Sequence, residues 1–216
     1  MRNIQKATEP QSLTQHRCNT NSNYDNYTEK DDLRKSLVAE QRGICCYCMQ
    51  RIRPNPESMK IEHRQSQALN KFPEKQLHYG NLLGACLGGQ KHGEKSPARN
   101  QHCDTRKGDD DISFNPADPF HDVENKLQFL GDGTIQSSDL QLNQEINNVL
   151  NLNEGSLIRN RKAVLNALQQ SFMRGNPSKI AIEKELRKWD GDNGEDLEPF
   201  CQVVIYYLRK KLKKML

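Results

Sequence analysis

The sequence predicts an α+β chain: a small metal-stabilised module of short strands and turns, preceded by one helix and followed by several. Three observations point to this. Seven cysteines, an odd number, occur in a chain with no apolar signal region at its N-terminus, which favours metal ligation over a disulfide framework. Between Ile44 and about Asp111, short apolar runs are broken by glycine and proline, and nearly all the reactive side chains fall there. Beyond about residue 155, apolar residues recur at helical spacing.

Taken in order, residues 1–28 are rich in Asn, Gln, Thr and Ser without an apolar period and read as a loosely ordered N-terminal arm. Leu33, Leu37 and Val38 then share one face of a short helix, weakly capped by Thr28 and Asp31 and ended by Gly43. That helix opens the central module, residues 29–125. From 112 to 136, Pro116, Pro119, Gly131 and Gly133 suggest a connecting loop and a small hairpin, with Leu127, Phe129 and Leu130 before the glycines. Residues 126–216 form a mostly helical extension. Leu157, Val164, Leu165, Leu168 and Phe172 mark one helix, stopped by Gly175 and Pro177; Ile182, Leu186 and Trp189 mark a second. Pro199 suits the first turn of a third, whose stripe is Phe200, Val203, Tyr207, Leu208 and Leu212.

With 216 residues, 34% of them hydrophobic and 6% aromatic, the core is lean, and a bound metal would help to hold it. The mean hydropathy of −0.94 agrees. Lysine and arginine number 32 against 28 acids, and a net charge of +4 does not by itself indicate nucleic-acid binding. The basic tail Arg209, Lys210, Lys211, Lys213 and Lys214 reads as a solvated helix face. No apolar run approaches the length of a membrane span, and a cytoplasmic location is expected.

Two motifs carry chemistry. In Cys45-Cys46-Tyr47-Cys48, the outer cysteines form a Cys-x-x-Cys knuckle that can aim two thiolates at one tetrahedral zinc. Thioredoxin-like redox pairs need a strand-helix-strand setting that these neighbours lack. Cys86 and Cys103 are the leading candidates to complete the set, with His92 or His102 in place of Cys86 as the alternative. Such a closed structural zinc holds shape and does no chemistry. Cys18, Cys46 and Cys201 show no comparable pattern. In the second motif, Lys60-Ile61-Glu62-His63-Arg64, an extended backbone sends neighbouring Glu62 and His63 to opposite faces, so that one can hold a metal while the other faces a water.

The order Cys-x-x-Cys, Glu62-His63, Asn81-Leu, Cys86 and Cys103-Asp104-x-x-Lys107-Gly resembles the zinc-containing HNH endonucleases. Leu37-Val-Ala-Glu-Gln-Arg-Gly-Ile-Cys45, Ile61-Glu-His63, Asn81-Leu-Leu83, His102-Cys-Asp104 and Leu150-Asn-Leu-Asn153 are more closely similar to the PtuB type, the HNH component of Septu and retron-associated antiphage systems. The similarity spans about residues 33 to 165.

The resemblance implies a ββα-metal (His-Me finger) module and an endonuclease that hydrolyses phosphodiester bonds of DNA or RNA. In it His63 is the general base, Glu62 and Asp104 bind the catalytic Mg²⁺ or Mn²⁺, and Asn81 fixes the active-site loop. Arg64 or Lys107 is a possible phosphate contact. The residue types suit this chemistry, because a hard cation held by carboxylates can stabilise charge on phosphorus while an imidazole takes a proton from water. The implied products are a 5′-phosphate and a 3′-hydroxyl. The implied partners are a PtuA-type ATPase and, in a retron setting, an RNA–DNA hybrid and a reverse transcriptase.

Three features depart from the usual pattern. Glu62 stands where many relatives have Asp, Asp104 stands where His or Asn is common, and a long insert separates Cys86 from Cys103. Within that insert, Gly88 to Ser96 approaches a phosphate-binding P-loop, but its lysine comes one position late and no strand precedes it in the required way, so nucleotide binding is rejected. A loop that meets substrate or partner is the better reading. The competing function is a non-catalytic zinc module that binds nucleic acid or protein, which explains the cysteines but not Glu62, His63 and Asp104 together.

Overall fold

The computed structural model describes residues 1–68, 72–192, 194 and 196–215, and its architecture is mixed α and β with two small sheets. Helix α1 covers Gln11–Arg17 and α2 covers Lys30–Glu40. Strand β1 (Met59–His63) pairs antiparallel with β2 (Leu82–Cys86), placing Glu62 opposite Leu83 and His63 opposite Leu82. A glycine-rich loop leads from β2 to the short helix α3, Cys103–Lys107. After the single turn α4 (Val123–Lys126), β3 (Leu127–Phe129) and β4 (Ile135–Ser137) form the hairpin that the glycines forecast.

The helical part follows. A turn α5 (Leu140–Gln144) continues as one π-turn, and α6 (Gly155–Ser171), α7 (Lys179–Asp190) and α8 (Cys201–Lys213) then pack together through Leu168, Ile182, Val204 and Leu208. Pro199 lies just before α8, and Phe200, at positive φ, is the residue that turns the chain into it. The main core joins this region to the module: Ile44, Met49, Ile52 and Leu83 pack in one cluster with Leu157, Leu165, Val203 and Ile205. No helix among the described residues is long and apolar enough to cross a membrane.

The arm expected to be loosely ordered is instead packed. Met1 and Ile4 enter the main core, while Leu13 and Tyr27 join Leu33, Leu37 and Leu82 in a second cluster. The Arg2 guanidinium bonds Glu124 and Asp190, and Lys6 pairs with Glu40. A search for periodicity cannot find such a segment, because its few anchors are single apolar residues spread among polar ones and are buried in two separate clusters by residues distant in the sequence.

The end of α2 is tied to β2 by one side chain. Buried Gln41 donates to the Gly84 carbonyl at 2.8 Å and accepts from the Gly84 amide at 2.6 Å, while the Cys46 amide also donates to that carbonyl. A Cβ at Gly84 would lie 3.0 Å from Ile52 and 3.2 Å from Gln41, so a side chain there would make these neighbours yield by a few tenths of an ångström.

Candidate active site and metal centre

The knuckle is a tight turn. The Cys45 amide donates to the Gln50 carbonyl and the Met49 amide to the Cys45 carbonyl, with Met49 at positive φ. Cys86 arrives at the end of β2 and Cys103 opens α3. The four sulfur atoms of Cys45, Cys48, Cys86 and Cys103 all lie within 4.8 Å of one another and are buried. Cys45 and Cys103 are separated by 3.9 Å and Cys48 and Cys86 by 3.6 Å. A disulfide requires about 2.0 Å, whereas sulfurs at the corners of a tetrahedron around a zinc at about 2.3 Å stand about 3.8 Å apart. The donor set therefore fits a four-thiolate ion.

The surroundings orient these thiols. The Cys86 amide points at the Cys45 sulfur at 3.3 Å, and the His102 imidazole lies 3.2 Å from the Cys103 sulfur. His102, considered at the sequence level as a ligand in place of Cys86, thus stands beside the cluster that Cys86 joins. His92 lies on the exposed loop after β2, away from the thiols. Cys103 has φ +55°, and its amide donates to the Leu150 carbonyl. This explains part of the Leu150–Asn153 word: Asn151 fastens the Gln101 carbonyl at 2.8 Å, and Asn153 exchanges hydrogen bonds with Ile135 on β4. Of the remaining cysteines, Cys46 and Cys201 are buried and Cys18 is exposed.

Strand β1 separates the second motif into two faces, as alternation requires. Lys60 and Glu62 face α3, where Lys60 donates to the Thr105 hydroxyl at 2.7 Å. Glu62, only 1% exposed, accepts from the Tyr47 hydroxyl at 2.7 Å and pairs with the Lys107 ammonium at 3.2 Å. On the same face the Asp104 carboxylate lies 3.8 Å from the Lys60 ammonium. Burial first, and then the Asp104 carboxyl, push Glu62 up, while Lys107 and Tyr47 pull it down; the buried ammonium at 3.2 Å and the phenol donor are the partners of the ionised carboxylate. Burial and the Glu62 carboxylate likewise push the Tyr47 phenol up, so that it remains a donor.

His63 lies on the other face, 8% exposed, with its ring edge-on to Tyr24 at a centroid distance of 4.4 Å. Its Nε2 lies 3.0 Å from the Gln76 carbonyl. That partner can only accept, so Nε2 carries the proton and Nδ1 keeps its lone pair. Burial lowers the pKa of the ring, although the Gln76 bond and the Asp104 charge oppose this. The imidazole is therefore held neutral and oriented, as a base must be.

Asn81 supports this orientation. Its side-chain amide donates to the Gln65 and Lys75 carbonyls, and its oxygen accepts from the Gln65 amide. One residue thus fixes both the exit of β1 and the backbone beside Gln76. Among the described residues, the cysteines are the one group of three or more ligating side chains close enough to share an ion. Asp104 acts on the Glu62 carboxyl from the α3 side, whereas His63 lies on the opposite face of β1.

Of the two possible phosphate contacts, Lys107 is used internally and Arg64, half-buried, is bound through Nη1. Lys107 is buried, and its ammonium is held by Glu62, the His63 carbonyl and the Gly108 carbonyl. Arg64 reaches the Ile112 carbonyl at 3.0 Å. A cation three residues after Asp104 returns to the inner face of a one-turn helix, and this placement brings Lys107 against Glu62 instead of solvent. Sequence reasoning also missed Tyr47 and Gln76. Tyr47 had a signal, since it sits inside the knuckle between two ligands; Gln76 acts through its backbone and had none.

No family model matches the chain. The chain is similar to a protein of Escherichia coli named "Retron Ec83 putative HNH endonuclease", with 30% identity over 119 residues, which are 50% of this chain and 46% of that protein.

Proposed function

We propose that the chain is a metal-dependent HNH endonuclease of the PtuB type, acting on DNA or RNA within a retron or Septu-like antiphage complex with a PtuA-type ATPase. The observation that supports it best is the arrangement of β1, which holds the buried Glu62 carboxyl between Tyr47 and Lys107 on one face, under the influence of Asp104, and a neutral imidazole on the Gln76 carbonyl on the other. Two carboxyl groups that influence each other repel when both are ionised, and a hard divalent cation such as Mg²⁺ or Mn²⁺ relieves that repulsion. A zinc on the four thiolates serves as the structural pin of a ββα-metal module formed by β1, β2 and α3.

In this reading Glu62 and Asp104 would hold the catalytic ion, which would supply positive charge for the phosphate oxygens and the leaving oxygen. His63 Nδ1 takes the proton of the attacking water as the new phosphorus–oxygen bond forms. The bond from phosphorus to the 3′-oxygen breaks and that oxygen takes a proton from solvent water, giving 5′-phosphate and 3′-hydroxyl ends. Asn81 and the Gln76 carbonyl keep the imidazole aimed, and Tyr47 and Lys107 keep Glu62 in place. In the test, the protein and its His63→Ala variant are incubated with DNA and RNA in Mg²⁺ or Mn²⁺, with and without the ATPase, and the fragment ends are sequenced. Cutting by the parent alone supports the reading, and equal cutting by both proteins refutes it.

The burial of Glu62 against the Lys107 ammonium favours one other reading, a zinc module that binds without cutting. Inactivity on every substrate and metal, with binding undiminished in a Glu62, His63 and Asp104 triple substitution, would select it.

A further inference from the structure

The loop between β2 and α3 has a rigid base and an open tip. The His102 amide bonds the Gly88 carbonyl, and the Thr105 hydroxyl bonds the Leu87 carbonyl at 3.1 Å. A Cβ at Gly88 would meet the His102 carbonyl at 2.3 Å, and one at Gly89 would meet the Asn100 carbonyl at 2.3 Å; both glycines have positive φ, so no other residue type fits there without strain. Gly93, by contrast, has nothing within 4 Å. The loop therefore projects from a fixed root, and its tip carries exposed Lys91 and Lys95.

Beneath that tip lies a cleft of about 540 Å³ bounded by α2, β1 and the loop. Lys91 and Lys95 stand on one side, Arg34 and Lys60 line the other, and Asp104 lies on its wall. Glu94 contributes the one other acid. Arg34 has its Nε buried without a hydrogen-bond partner while Nη1 bonds Asp31, so part of its donor fork is unmet. Four cations from three separate elements outnumber the two acids, with Lys60 drawn to Asp104 at 3.8 Å, and suit a chain of phosphates, which needs spaced positive charges and planar donors.

We propose that this cleft binds the sugar–phosphate backbone of a nucleic-acid strand and leads it past Asp104, with Arg34, Lys91 and Lys95 as phosphate contacts. The inference rests on the nuclease reading for what happens at Asp104, but the binding can be measured separately.

The test is fluorescence anisotropy with labelled single-stranded DNA, duplex DNA and RNA, using His63→Ala as the parent protein across a series of salt concentrations. The exposed lysines allow Lys91→Gln/Lys95→Gln to fold, which zinc content and thermal melting check. That variant is expected to flatten the logarithmic salt dependence of binding by about 1.8 on duplex DNA or about 1.4 on a single strand, one phosphate per lysine. Arg34→Gln should weaken binding to the same nucleic acid, and Glu94→Gln should tighten it. The arm that shows these opposite shifts identifies the backbone recognised. Unchanged affinity and slope in the double variant on all three probes, or no binding by the parent protein, would overturn the cleft. Binding that responds as expected in a protein whose unsubstituted form cuts nothing would overturn the nuclease alone.

Discussion

Cys103 and Asp104 are consecutive, yet they serve different centres. Cys103 completes a set of four like donors, all buried and all at mutual distances suited to one tetrahedral ion. Asp104 joins an unlike set: a buried carboxyl, a buried ammonium and a phenol, with one side open to a basic cleft. The difference teaches how one scaffold supports both. A closed site contributes its binding energy to the fold, while an open site, poor in ligands, must be held in shape by others. Tyr47 is the mechanical link, since the knuckle that fixes Cys45 and Cys48 also delivers the hydroxyl that Glu62 accepts.

The contrast breaks most heavily at the thiols. Cys45→Ala, or treatment with a zinc chelator, is expected to abolish cooperative melting, because binding free energies of about 10–16 kcal/mol for structural zinc in small modules are folding free energy. Circular dichroism with parallel zinc analysis checks this, and a melt indifferent to metal would refute the pin.

Next comes the ion pair. Glu62→Gln strands the Lys107 ammonium in the interior and should cost about 3–5 kcal/mol in urea unfolding, with four-thiolate zinc retained. Adding Lys107→Met removes the stranded charge and should recover much of that loss; no recovery would show that the pair is not the cause.

His63→Ala sharpens the comparison from the other side. Loss of a general base should reduce cleavage by about 10²–10⁴-fold while zinc stoichiometry stays at one per chain. A variant that kept its rate would remove His63 from the chemistry.

The smallest effect belongs to the link. Tyr47→Phe loses one hydrogen bond to a charged acceptor, an expected cost of about 1.5–3 kcal/mol. The two centres should respond unequally, with zinc unchanged and cleavage reduced; an equal effect on both would place Tyr47 in the knuckle alone.

Much of this was legible beforehand. Helical stripes at 155–213 became α6, α7 and α8, and the glycines at 131 and 133 marked a real hairpin, since both signals depend on local backbone geometry. The cysteine spacing identified donors that the fold then gathered. The N-terminal segment was not legible, because Met1 and Ile4 are buried in one cluster and Leu13 and Tyr27 in another, by residues distant in the sequence. Nor were the fates of Lys107 and Arg64, since a basic residue reads the same whether its charge faces water or a buried carboxylate.

By itself, the sequence determined residue chemistry and local form: which side chains can bind metal or take a proton, where strands alternate, where helices begin and stop. Only the tertiary structure decided which groups meet. It turned Glu62 to Tyr47 and Lys107 and His63 to the Gln76 carbonyl, buried the lysine expected at the surface, and opened a basic cleft beside Asp104. The reason is physical: donor type and periodicity are fixed within a few residues, whereas desolvation and charge pairing depend on neighbours that arrive from tens of residues away.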